Sequence, residues 1–244
     1  MPVMKVGPGR ALLGGGGNYN DLVMGTQPIA YWPQSESSGL TAYCLTNPAM
    51  NGTYTGVTLA NDLTGPFGTP APFYDGANDY CNIYSAALNT AFSGAEGTVA
   101  IWAKVNGIGV WTDAAIRQTI NLWVNGNNYL RPQKMNVNNL FQHFYRANAI
   151  GETVNSAGRT DIVWMHVALS WSKSAEEMKA YIYGAQVGAT QINLGVWAGN
   201  LLNTACCIGA NGTGPSEVWH GWLGPCAIWN RALTPAEIAA LYVT

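Results

Sequence analysis

Between residues 28 and 229 the chain is written in short apolar runs closed by Gly, Asn or Pro, and helical periodicity is almost absent before Thr234. Runs of strand length at this spacing constrain the fold to packed antiparallel sheets, because each run can hide only one of its faces. The cleanest lies at residues 163–171, where Val163, Met165, Val167, Leu169 and Trp171 form one alternating apolar row. His166 falls between two members of that row, so it is expected on the opposite face. Residues 98–105 repeat the pattern with Val99, Ile101, Ala103 and Val105. Residues 178–183, closed by Gly184, are expected to pair with 163–171 through a loop at 172–177. Residues 120–124, a turn at Asn125-Gly126 and a run from Tyr129 make a second hairpin.

The C-terminus follows a different pattern. Apolar runs at 219–223 and 226–229 lead into Asn230-Arg231-Ala232-Leu233, which breaks the strand. Thr234 as N-cap, Pro235 at the first helical position and Glu237 three residues after the cap make a capping box. Ile238, Leu241 and Tyr242 give the short helix that follows one apolar side. The N-terminus differs again. Four consecutive glycines at 14–17 lose too much backbone entropy to sit in a regular element. Residues 1–27 are therefore expected to be an extended Gly-rich arm, with Leu12, Leu13 and Tyr19 as contacts to a neighbouring subunit. Residues 28–244 are expected to be the β-sandwich domain.

Composition narrows the partners. Charged residues make up 10 % of the chain, against roughly 25 % in an ordinary domain. Ten Trp and twelve Tyr on so weakly charged a chain imply uncharged aromatic surface, of the kind that subunits cover or sugars stack on. A net charge of −2 without charged blocks argues against nucleic acid and anionic membranes. No run approaches the roughly 20 apolar residues of a membrane span, and the N-terminus makes a poor signal peptide. Five cysteines, four of them in apolar strand-like runs without C-x-x-C spacing, read as buried free thiols of a chain folded in a reducing compartment. The five cations from Arg117 to Arg159, with Glu152 as the one acid among them, read as solvated surface.

Six segments, in order, resemble one family. Ala30-Tyr31-Trp32-Pro33 with Asn51-Gly52-Thr53-Tyr54 is similar to the opening of laminin-G-like domains of the concanavalin A-like lectin/glucanase superfamily. Tyr74-Asp75-Gly76-Ala77-Asn78-Asp79-Tyr80, Thr98-Val99-Ala100-Ile101-Trp102 and Trp164-Met165-His166-Val167 resemble its internal strands and turns. Tyr181-Ile182-Tyr183-Gly184 and the run from Asn230 to Ile238 resemble its late hairpin and its ending. The resemblance covers residues 28–242. It implies an all-β, concanavalin A-like antiparallel sandwich of jelly-roll type with a short C-terminal helix. Relatives that bind calcium carry acidic residues where this chain has Cys44 and Gly224, so a calcium ion is disfavoured and no other cofactor is implied.

The resemblance leaves activity open, since such a fold hosts many functions. Glycoside hydrolysis needs two carboxylates facing each other across roughly 5 to 9 Å. Of the seven glutamates only Glu176 and Glu177 are close, and neighbours on a strand point to opposite faces. No nucleophile elbow, helical histidine pair or phosphate loop is present either, so the chain is expected not to be an enzyme. For sugar stacking, the aromatic residues in loop-like settings are Trp111 with Asp113, Trp197, and Trp219 near Asn211. Two roles follow as expectations. One is a structural decoration protein of a virus particle, of phage type, assembled in the host cytoplasm and held by its arm, by copies of itself and by other virion proteins. The other is a carbohydrate-binding adhesion module, which would work outside the cell.

Overall fold

A computed structural model of the chain describes residues 18–243. Two antiparallel sheets face each other across a shared core. The first has eight strands. In spatial order they are Ala185–Ile192, Glu177–Ile182, Met165–Ser172, Glu96–Val105, His220–Trp229, Ala71–Asp75 and Thr58–Asp62, with Ala30–Trp32 also paired to His220–Trp229. The second has nine. They run Ile150–Asn155, Phe141–Ala147, Asn128–Lys134, Ile120–Asn125, Cys207–Ile208, Tyr80–Asn82, Gly52–Thr55 and Thr41–Ala42, with Arg117–Gln118 paired to Asn128–Lys134.

Period-two patterning decides which side chains meet. Val99, Ile101, Ala103 and Val105 point inward as expected, beside Met165, Val167, Leu169 and Trp171. The second sheet answers with Ile120, Leu122, Leu130, Phe141 and Tyr145. The two hairpins form where expected, with Trp171 opposite Met178 and Asn125 opposite Asn128. Val163 departs from its row: the strand begins at Met165, and Val163 is exposed. All five cysteines are free and buried.

The outer face of the first sheet carries a second apolar cluster, built from Tyr31, Ala100, Trp102, Ala168, Tyr181 and Ala227. The C-terminal helix, Pro235–Leu241, covers part of it with Ile238 and Leu241. Its capping box is present: Thr234 Oγ1 accepts from the Glu237 N–H at 3.2 Å, and the Glu237 carboxylate accepts from the Thr234 N–H at 2.8 Å. Hydrogen bonding from Arg231, 2.7 Å away, and from Thr234 holds the Glu237 carboxyl down at about 2. His166 lies on this face as expected, under Trp102 and Tyr242, and both its ring nitrogens lack a hydrogen-bond partner among the described residues.

Residues 18–26 depart from the expected arm. Tyr19–Gly25 is a helix with its own capping box between Asn18 and Asp21. Tyr19, expected to touch another subunit, lies flat on Phe67 at 3.9 Å between ring centres and accepts a 2.9 Å hydrogen bond from Trp102 Nε1. Asn20 accepts from Tyr31 Oη at 2.6 Å, and Thr26 accepts from Trp229 Nε1 at 2.9 Å. This segment is therefore part of its own sandwich, because Tyr19 and Val23 give it an apolar side that the first sheet can bury. Leu12 and Leu13 lie outside the described residues.

Candidate functional site

The loop tryptophans singled out by sequence do not form a platform. Trp111 sits in the helix Ile108–Thr112, buried, with Nε1 donating to the Asp161 carbonyl at 2.6 Å. Trp219 is fully buried and donates to the Lys104 carbonyl at 3.3 Å. Trp197 rests on bare backbone: a Cβ at Gly94 would stand 2.0 Å from its Cγ, and Phe92 and Tyr145 flank the ring. Asp113 is an ion-pair hub, 2.8 Å from Arg117 Nη2 and in contact with Lys134, whose side chain is fully buried. Burial pushes the Asp113 carboxyl up, but the hydrogen bonds from Lys134 and Arg117 outweigh it and hold the group below its ordinary range. Trp111 and Trp219 thus present no ring to a ligand, Trp197 is half-buried against Phe92 and Tyr145, and the Asp113 carboxylate is taken up by Arg117 and Lys134. Asn211 is the exception, and it points to a different part of the molecule.

That part is the outer face of the second sheet. Strand alternation places Asn121 and Trp123 of one strand on this face, with Tyr129, Arg131 and Gln133 of the next and Gln142, Phe144 and Arg146 of the third. The three rings stack across the strands. Trp123 and Tyr129 are 4.4 Å apart at 24°, and Tyr129 and Phe144 are 5.1 Å apart at 16°. The Arg131 guanidinium lies 4.9 Å from the Tyr129 ring centre, a distance at which cation–π attraction fixes its position. An amide ladder runs beside them: Gln133 donates to Gln142 at 2.8 Å, and Gln142 donates to Asn155 at 3.1 Å.

Tyr129 covers one side of Trp123. Beside the indole opens a pocket of about 150 Å³ lined by Asn121, Trp123, Arg131, Ala205, Asn211 and Glu217. Its floor is rigid. Asn121 is 1 % exposed, and its Nδ2 donates to the carbonyls of Ala205 and Asn211, both at 2.9 Å. Two donor bonds lock the amide, so its Oδ1 is fixed, buried and without a hydrogen-bond partner among the described residues. Arg131 Nε is likewise buried and unpartnered. Glu217 stands 3.6 Å from Arg131 Nη1 and accepts from the Gln118 amide through Oε2. Asn211 is braced by Ser216, whose N–H donates to its Oδ1 at 3.0 Å.

An unsatisfied buried polar atom costs about 1–3 kcal/mol, and such atoms also occur away from any pocket, at His143 in the core and His166 on the covered face. Larger hollows lack them. The one of about 250 Å³ between Asn18, Pro33, Phe67 and Pro225 has no unpartnered buried side-chain atom in its walls. Sequence reasoning missed Trp123, Asn121, Arg131 and Glu217. The available signal was the alternation of ring, amide and arginine on one side of residues 121–146.

The positions discussed for calcium do not fit that ion. Cys44 is buried, and the Gly224 carbonyl is taken by Gln34 Nε2 at 2.5 Å, while Gln34 Oε1 accepts from Tyr74 Oη at 2.8 Å. A neutral amide thus bridges the closing strand to Tyr74. Asp79 accepts from the Asp75 N–H at 2.8 Å, and Asp75 caps the N–H groups of Ala77 and Asn78, so both are engaged in the turn. Among the described residues no group of three or more His, Cys, Asp or Glu side chains is placed to hold a metal.

The family model of the laminin G type, described as concanavalin A-like lectin/glucanases superfamily, matches residues 75–239, and the chain belongs to that superfamily. Domain 4 of AbnA, a GH43 extracellular arabinanase from Geobacillus stearothermophilus solved with arabinotriose, is similar with a TM-score of 0.65. It is 17 % identical over 88 % of this chain and 98 % of that one. The CBM40 of the Ruminococcus gnavus IT-sialidase has a TM-score of 0.50 and 16 % identity over 64 % of this chain and 87 % of its own. Trypanosoma rangeli sialidase, solved with sialic acid, has a TM-score of 0.63 and 11 % identity; the match covers 88 % of this chain and 32 % of the sialidase. A comparison with curated proteins finds no match. No helix among the described residues is long and apolar enough to cross a membrane.

Proposed function

We propose that the protein is a carbohydrate-binding module and that the Trp123 pocket on the outer face of the second sheet is its sugar site. The observation that carries this reading is the half-buried Trp123 indole set beside the polar side chains of Arg131, Asn211 and Glu217 in one pocket. A sugar ring offers both complements, an apolar C–H face for the indole and hydroxyls for the polar rim. Support also comes from the similar structures, whose names include a carbohydrate-binding module and a domain holding arabinotriose.

Binding is favoured over catalysis because Glu217 is the one carboxylate in the lining, whereas glycoside hydrolysis uses two. Glycans of this kind are met outside cells, which makes an extracellular or surface-displayed setting the natural one. The virus-particle role draws no support from the comparisons, and its described anchor, Tyr19, is engaged within its own chain.

The test is a glycan array probed with the intact protein and with Trp123→Ala. Retention of one or more glycans by the wild type and its loss in the variant are the expected result. Retention unaffected by Trp123→Ala would move the site elsewhere.

A further inference from the structure

The pocket also carries information about which sugars it takes, and this inference rests on the carbohydrate reading above. We propose that it selects a neutral sugar unit and rejects acidic ones such as sialic or uronic acids. The charge balance is the first ground. Arg131 is the cation of the lining and already faces the Glu217 carboxylate at 3.6 Å. An acidic sugar reaching Arg131 would set a second carboxylate against Glu217 in a partly desolvated pocket, where like charges repel strongly.

Hydrogen-bond chemistry is the second ground. Asn121 presents a buried oxygen and no spare N–H, since both its amide bonds go to Ala205 and Asn211. Glu217 is engaged through Oε2 by Gln118, and its Oε1 has no hydrogen bond among the described residues. The reachable groups of the lining are therefore the partly exposed Glu217 carboxylate and Arg131 guanidinium. A hydroxyl donates and accepts at once, so it can donate to Glu217 while accepting from Arg131. An ionised carboxylate donates nothing and could answer only Arg131, which Glu217 already faces. The Trp123 wall adds an apolar surface suited to the C–H face of an uncharged ring, and about 150 Å³ matches one sugar unit better than a chain.

The experiment is calorimetric titration and array binding of the intact protein with neutral oligosaccharides and with sialylated and uronate-bearing ones, for wild type, Trp123→Ala and Glu217→Gln. Neutral glycans should bind, Trp123→Ala should abolish that binding, and Glu217→Gln should weaken it about tenfold by removing a charged acceptor. Wild-type affinity should also be insensitive to salt, a readout that needs no variant to fold. Acidic glycans bound by the wild type in a Trp123-dependent manner would overturn the neutral-sugar inference while leaving the carbohydrate reading intact, whereas acidic-glycan binding gained only in Glu217→Gln would support it. Retention of no glycan of either class would overturn both.

Discussion

The two outer faces of this sandwich are built by the same rule and end in opposite conditions. On the first sheet, the outward residues of alternating strands are Tyr31, Ala100, Trp102, Ala168 and Ala227, and two terminal helices cover them. On the second sheet, the outward residues are Trp123, Tyr129, Arg131, Gln133, Gln142 and Phe144, and the described residues lay no helix over them. Both faces are rich in rings. On the covered face Trp102 donates to Tyr19, Trp229 to Thr26 and Tyr31 to Asn20, while Tyr181 Oη and both His166 ring nitrogens stay unpartnered among the described residues. On the other, Asn121 Oδ1, Gln133 Oε1 and Arg131 Nε are unpartnered too. Orphaned polar atoms therefore do not separate the two faces. What separates them is cover: helices close over the rings of the first, while Trp123, Arg131 and Glu217 of the second line an open pocket.

This contrast can be broken from the covered side first. Trp102→Ala removes the ring against which Tyr19, Phe67 and Tyr242 pack, and is expected to destabilise the protein by about 3–5 kcal/mol in denaturant unfolding while leaving glycan affinity unchanged in the folded fraction. Acid should act next. Burial depresses His166 on the covered face, and His143 in the core, to about 3 from an ordinary 6.5. Each is neutral when folded and binds a proton more readily when unfolded. Their contribution is fully present above pH 6.5 and is lost as pH falls toward 3. At pH 5 the loss is about 2 kcal/mol for each, readable as a falling denaturant midpoint, and His166→Phe should remove the share that belongs to His166. A smaller effect is expected at the C-terminal helix, where Thr234→Ala deletes the cap and lowers stability by about 1 kcal/mol in the same assay.

Much of the frame was legible in the sequence, because strand alternation and a capping box are local signals. The inward rows at 99–105 and 165–171, both hairpins, the place of His166 and the capped ending all lie where residue patterning puts them. Errors arose where a long-range partner decided. Residues 18–26 follow directly on a glycine run, which hid their helix, yet Phe67, Trp102 and Trp229 give Tyr19, Val23 and Thr26 a surface to join. Trp111, in a helix of a single turn, and Trp219, in an irregular segment, find backbone carbonyls for their N–H groups, which draws the rings inward. Four of the cations from Arg117 to Arg159, expected to be solvated surface, are instead ion-paired and largely buried, because their acids lie outside that window. Asp113 pairs Arg117 and Lys134, Asp161 pairs Arg159, and Glu217 reaches Arg131 from a distant loop. The last pairing, which makes the pocket, links residues far apart in sequence and has no local signature.

The contrast between the faces is tested most directly by titrating one array-positive glycan into wild type, Trp123→Ala and Trp102→Ala, each checked for folding. Trp123→Ala is expected to abolish binding with little loss of stability, and Trp102→Ala to lose stability and keep its affinity. Binding that survives Trp123→Ala, or that disappears in folded Trp102→Ala, would contradict that contrast.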